Sequence, residues 1–350
     1  MKSKHPVIII GGGLSGLALA YFLFQKGKDA IVLEASSRPG GRILTVEGNR
    51  GMPLELGATW FSSIHTELSA LIQELGLTSY PQFSEGISFF QTKSFEPPQK
   101  FFIPASDEPS CRIAGGTHML INTLAERINS ERIHLHKKVT TIKALDDGLR
   151  ILAADGSVFE TDQAILCIPP QLAAATIFCT PALPDKLLQI LPTVHTWMAG
   201  ALKFTLEYEA PFWRKQGYSG MLYSHAGIVT EMYDHTNFEE SRYGFTGFLN
   251  GSAASFSQDV RKELVLRQLG ELYGEEATRP TAYFDKVWND EFILSGTPVI
   301  MRPHQNNGHP ALQLDYMDGR LHFCCTETAS KFPGYMEGAI VAARSTAARL

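Results

Sequence analysis

Apolar residues along this chain fall into short unbroken runs, runs of helical spacing and runs that alternate, and each kind predicts a different element. Val7-Ile8-Ile9-Ile10 is an unbroken run, the pattern of a strand buried on both faces. An apolar stretch from Leu14 to Phe24 follows and gives way to Gln25-Lys26-Gly27, a helix with a glycine stop. Ala30 to Leu33 is a second buried strand. Thr66 to Leu77 carries Leu68, Leu71, Ile72 and Leu75 at helical spacing before Gly76, and Met119 to Ile128 is a further helix. Lys138 to Ile142 reads as a strand. Leu149 to Ala153 and Val158 to Glu160 form a hairpin around Asp155-Gly156. Ala164 to Ile168 is a separate buried strand that stops at Pro169-Pro170.

Beyond that point the pattern changes. Trp197 to Glu207, Tyr218 to Tyr223, Ile228 to Tyr233 and Tyr243 to Leu249 are strand-like, and Val260 to Tyr273 is an amphipathic helix. They predict an antiparallel sheet with helices on one side. Arg320 to Cys324 reads as a last strand of the first sheet. A final helix, rich in Ala339, Ala342, Ala343 and Ala347, is suited to close packing on a sheet. Ser79 to Pro109, with Pro97-Pro98 and little periodicity, is an excursion out of the first unit. The fold class is therefore α/β, with a second, α+β unit inserted.

Composition narrows the function. The 350 residues suffice for two cores. Formal charge is 31 − 36 = −5 with no basic run, which argues against nucleic acid or an anionic membrane as partner. No apolar run approaches the ~20 residues of a membrane-spanning helix. A core strand this close to Met1 leaves no room for a signal peptide, and the expectation is a cytoplasmic protein. The five cysteines lack C-x-x-C spacing and read as reduced thiols. His134 and His136 would share one face of a strand but have no third ligand nearby, so no metal site is expected.

The candidate chemistry begins where the first strand ends. Gly11, Gly13 and Gly16 stand in G-x-G-x-x-G register between a strand and a helix, with Ser15 in the first turn and Glu34 at the end of the second strand. That order fits a dinucleotide. The glycines allow a tight turn, close approach to a pyrophosphate and helix–strand packing, the helix N-terminus offers N–H groups to phosphate, and the acid accepts from a ribose. NAD and FAD share this half-motif.

Arg38-Pro39-Gly40-Gly41-Arg42 and Leu54-Glu55-Leu56-Gly57-Ala58-Thr59-Trp60 choose between them. With Glu34-Ala35 they resemble the flavin-containing amine oxidase family, in its monoamine-oxidase-like branch. So do Arg112-Ile113-Ala114-Gly115-Gly116, Thr326-Glu327-Thr328-Ala329 and Gly334-Tyr335-Met336-Glu337-Gly338-Ala339. The resemblance implies a Rossmann-like FAD-binding domain (1–78, 111–185 and 288–350) and a smaller substrate domain on an antiparallel sheet (79–110 and 186–287). It implies that Gly41 and Arg42 meet the phosphate or ribityl chain and that Val139 meets the adenine. Gly57, Ala58, Thr59, Trp60, Trp288, Glu327, Gly334 and Met336 would surround the remainder of the cofactor.

Lys203 lies eight positions before Pro211-Phe212-Trp213-Arg214, and in the family such a strand lysine holds a water against flavin N5. An ammonium in an apolar strand is costly to bury unless its protons are accepted; the alternative is a lysine facing solvent. Tyr335 would face the substrate side of the ring. The implied reaction is oxidation of a small-molecule amine to an imine by hydride-equivalent transfer to flavin, with O2 reduced to H2O2. A flavoenzyme acting on a C–C, porphyrinogen or dihydronicotinamide substrate, and a non-catalytic FAD scaffold, stay open as alternatives.

Departures from the family also carry information. Pro298 stands where well-known members carry a cysteine bonded to flavin, so FAD is expected to be noncovalent. Val299 stands where they carry a second aromatic, and Ser295-Gly296 match a turn beyond Trp288. Only 115 − 60 = 55 positions separate Trp60 from Gly115, where larger members insert much of a lid. A more open substrate site is expected, its missing wall supplied by a partner subunit of a homo-oligomer or made unnecessary by a bulky substrate.

Overall fold

The computed structural model describes residues 4–289, 293 and 300–350. Its first sheet runs Phe178–Thr180, Val139–Leu145, Gly148–Ala153, Val158–Leu166, Lys4–Ile10, Ala30–Leu33, Ile133–His134. Lys4–Ile10 lies parallel to both its neighbours, as the unbroken apolar run requires. The second arm of the expected hairpin and the buried strand that follows it are one continuous strand, Val158–Leu166. Its first half pairs antiparallel with Gly148–Ala153, and its second half receives Leu321–Phe323 in parallel. The polar Thr161-Asp162-Gln163 stretch suggests a break because it interrupts the apolar run. It sits where the strand changes partner.

Ile10, Leu33, Leu166 and Phe323 share one register row, so four parallel strands end together. In an open α/β sheet such carboxyl ends flank a ligand crevice. The final helix, Met336–Arg349, packs against the helix Leu14–Gln25, with Ala339, Ala343 and Ala347 in a core that also holds Ile9, Val32 and Ile165 of the sheet. His134 ends a strand and His136 has a positive φ of 59°, so the two histidines do not share a strand face.

The second sheet has the order Ala282–Val287, Leu202–Tyr208, Tyr243–Leu249, Val229–Asp234, Tyr218–Ser224, Gly86–Gln91, Gln99–Ile103. It is antiparallel except between Tyr218–Ser224 and Gly86–Gln91, which are parallel. The excursion is thus more ordered than its composition suggests, since two of its segments extend this sheet. Ala282–Val287 is an edge strand that the sequence pattern does not reveal. Trp197 is not in a strand: the strand begins at Leu202, and Trp197 sits in the preceding turn. The helix Gln258–Tyr273 covers one sheet face through Val265, Leu269, Leu272 and Tyr273. The other face looks toward the first sheet's crevice.

Candidate active site

A cavity of about 900 Å³ runs from the carboxyl ends of the parallel strands to the uncovered face of the second sheet. At its first end Gly11, Gly13, Ser15, Glu34 and Ala35 form the wall. The Glu34 carboxylate accepts from Gly12 N (2.6 Å) and from Ser36 N and Oγ (both 2.8 Å). It therefore holds the glycine loop against the second strand while lining the cavity. Gly16 is not in the wall. A Cβ there would lie 2.0 Å from Gly11 O, so its role is the close approach of helix to strand. Val139 closes this end, and Cys167, Ile168 and Pro169 line it from the neighbouring strand.

Midway, Gly41 and Arg42 face the cavity. Arg42 donates to Glu327 through both terminal nitrogens (2.6 and 3.2 Å) and to Trp197 O (3.1 Å). Glu327 is fully buried behind the guanidinium rather than in the cavity wall. Burial works against the Arg42 charge, and this carboxylate more than offsets it, raising its pKa. The pair stiffens a cation aimed at the crevice. Thr326 Oγ accepts from Gly334 N (2.8 Å) and donates to Tyr335 O (2.7 Å), which fixes the turn into the last helix. Gly334, Tyr335 and Met336 line the cavity there. Glu337 points away and caps another helix at Glu67 N and Leu68 N.

At the inner end Lys203 is buried on the wall. Its ammonium donates to Gly57 O (2.7 Å) and to Thr59 Oγ, and lies 4.7 Å from the Trp60 ring centre. Gly57, Ala58, Thr59, Trp60 and Trp288 all line this end. A Cβ on Gly57 would meet Arg42 O at 2.4 Å, so only glycine lets these two segments lie side by side. Burial pulls the Lys203 pKa down, Glu55 partly restores it and Arg112 lowers it further, leaving it at about 7. Burial likewise raises the Glu55 carboxyl, which accepts from Thr117 N and Thr45 Oγ.

Trp60 is itself held. Its indole N–H donates to Gln82 Oε1 (3.0 Å), and Gln82 Nε2 donates to Asp234 O (2.6 Å). The Asp234 carboxylate accepts from Trp213 Nε1 and twice from Arg214. The Pro-Phe-Trp-Arg run thus reaches Lys203 through Asp234, Gln82 and Trp60. Gln82 escapes a reading of the sequence because it lies in a stretch without periodicity. So does Glu231, a carboxylate in the cavity wall, whose place depends on cross-strand pairing with Phe248. Trp197 and Tyr335 stand with near-parallel rings, 22° apart with centres at 6.3 Å, and both line the cavity. Ser295, Gly296, Pro298 and Val299 lie outside the described residues.

Among the described residues there is no His/Cys/Asp/Glu group that could hold a metal ion, and the five cysteines are free. No helix among them is long and apolar enough to cross a membrane. What the cavity offers is a cradle of backbone and one stiffened cation at one end, and a buried lysine with aromatic walls at the other. The chain matches the flavin-containing amine oxidoreductases over residues 14–97 and 91–350. It belongs to that family. It is accordingly a flavin-dependent oxidoreductase.

Relatives include a probable flavin-containing monoamine oxidase A of Dictyostelium discoideum, 25% identical over 97% of this chain and 96% of its own length. A putrescine oxidase of Kocuria rosea is 24% identical over 99% and 95%. Both alignments run over more positions than the 350 of this chain, 444 and 464, so the relatives carry segments that it lacks. A structure of putrescine oxidase with bound putrescine matches the fold at TM-score 0.85, with 22% identity over 99% of each chain. Cyclohexylamine oxidase from Brevibacterium oxydans matches at 0.84 with 20% identity, over 99% of this chain and 98% of its own.

Proposed function

We propose that this chain is an FAD-dependent amine oxidase that binds its flavin noncovalently and takes small amines bearing a second positive group. The observation that carries the reading is the buried Lys203 ammonium at the inner end of a cavity whose other end is a dinucleotide cradle. In this reading the FAD-binding domain is 1–78, 111–185 and 288–350, and the substrate domain is 79–110 and 186–287. Gly11, Gly13, Ser15, Glu34 and Ala35 hold the ADP half with Val139, and Arg42 meets the phosphates. Gly57 to Trp60, Trp288, Gly334 and Met336 hold the ring half. Gly16 and Glu327 act from behind, through helix packing and through Arg42.

Bound FAD supplies a two-electron acceptor for the amine's α-carbon hydrogen and a route by which O2 becomes H2O2. This chain's residues orient the amine and manage its charge. Lys203 has acceptors for two of its protons, and a pKa near 7 lets it hold or release one into the cavity at neutral pH. Tyr335 and Trp197 supply the aromatic walls, and Glu231 offers an anion to a distal ammonium. That last feature supports a diamine, the kind of substrate named in the putrescine oxidase relatives. A cytoplasmic location belongs to the same proposal.

The purified protein should be yellow, acid precipitation should release the colour, and anaerobic putrescine should bleach it. Colour that stays with the pellet would exclude noncovalent FAD. Bleaching by NAD(P)H but by no amine would replace this reading with a flavoenzyme acting on a dihydronicotinamide substrate.

A further inference from the structure

The uncovered face of the second sheet does not end at the cavity. Cross-strand register places Lys203 opposite Phe248, Phe248 opposite Glu231, Glu231 opposite Tyr223, and Tyr223 beside Phe90. These residues form one row across five strands. Neighbouring strands lie about 4.8 Å apart, so Tyr223 is three steps or about 14 Å from Lys203, and Phe90 is about 19 Å away. Burial is greatest at the inner end of the row: Lys203 is 1% exposed, Phe248 and Glu231 are half-buried, Tyr223 is 39% exposed, and Phe90 at the far end is half-buried. Phe101, 40% exposed, pairs with Ser88 and stands on the same face two residues along from Phe90.

Hydrogen bonds tie this row to the cavity. The Tyr223 and Tyr233 hydroxyls lie 2.6 Å apart, and Tyr233 donates to the Glu231 carboxylate. The Tyr233 ring in turn meets the edge of Trp60 at 5.2 Å, and Trp60 lies over Lys203. The last cavity-lining residue of this row is therefore a bonded carboxylate, and beyond it along the row begins an aromatic floor of Tyr223, Phe90 and Phe101. Exposed aromatic surface continuous with a cavity marks where a ligand extends out of it.

We infer that this floor is a second substrate subsite, which takes an aromatic or apolar substituent on the far nitrogen of a diamine. The inference rests on the amine-oxidase reading above. The reacting amine occupies the Lys203 end, the second nitrogen sits at Glu231, and its substituent lies on Tyr223 and Phe90.

The test is anaerobic flavin reduction by putrescine and by N-benzylputrescine, with kcat/KM for each. The benzyl compound is expected to be favoured by about tenfold. Tyr223→Ala and Phe90→Ala should each lower that ratio several-fold, mainly through KM, while the flavin spectrum stays that of the parent protein. Equal use of the two diamines, or a ratio that neither variant moves, would overturn the subsite and leave the amine-oxidase reading intact. Failure of every amine to bleach the flavin would overturn both.

Discussion

At the residue scale Lys203 concentrates the energetics of the site. A lysine in water keeps its proton to about pH 10.5, and in the fold that value falls to about 7 because burial strips its hydration. Between those two values the unfolded chain holds a proton that the folded chain does not. Stability therefore rises with pH across that window and is lowest at and below about pH 7. Lys203→Met should remove this dependence, flattening the slope of melting temperature against pH between 7 and 10. The same variant should retain FAD but lose at least tenfold in flavin reduction, about 1.4 kcal/mol of barrier. Normal turnover, or a slope identical to the parent's, would mean that Lys203 is only a packed side chain. Its burial is not readable from the strand's alternation, because every residue of Leu202–Tyr208 is buried, those facing the cavity as well as those facing the helix.

At the element scale the outcome depends on backbone segments that lie unusually close. The Gly57 segment is wedged against Arg42 and Leu44: a Cβ added to Gly57 would lie 2.4 Å from the carbonyl oxygen of the first and 2.5 Å from the nitrogen of the second. Gly57→Ala should cost roughly 1–3 kcal/mol through overpacking and should weaken flavin retention, since Ala58 N bonds Arg42 O across this contact and Lys203 bonds Gly57 O beside it. Gly251→Ala, where nothing lies within 4 Å, is the control and should stay within about 0.5 kcal/mol. Equal melting temperatures for the two variants would contradict the argument.

Elements of this kind are legible in the sequence when their signal is local. The glycine loop and Glu34 can be read from spacing, and Gly57 and the turn at Gly334 from their resemblance to family motifs. Gln82, Glu231 and the edge strand Ala282–Val287 cannot. Their positions follow from pairings between segments far apart in the chain, or from a strand whose face is only half-buried. Gly16 and Glu327 lie one layer behind the cavity, where their motifs suggest direct contact, because a motif names residues without giving their depth.

At the scale of the whole molecule the cavity is the joint between the two sheets. Its walls draw on Ile10 to Ser15 and Leu33 to Leu44 from the first sheet, and on Lys203, Glu231, Phe248 and Lys286 from the second. A ligand that fills it adds contacts to both units at once, whereas a ligand of the glycine loop alone would brace only the first. Free FAD at a hundred times its dissociation constant stabilises by about 2.7 kcal/mol, which in a protein of this size should raise the melting temperature by roughly 3–5 °C. The apoprotein should melt in one transition, and that transition should move as a whole when FAD is added. Two transitions of which FAD moves only one would show that the sheets are not coupled through the cavity. Lys203 would then sit on a unit that the cofactor does not hold in place, and the proposed amine-oxidase geometry would need some other element to align it.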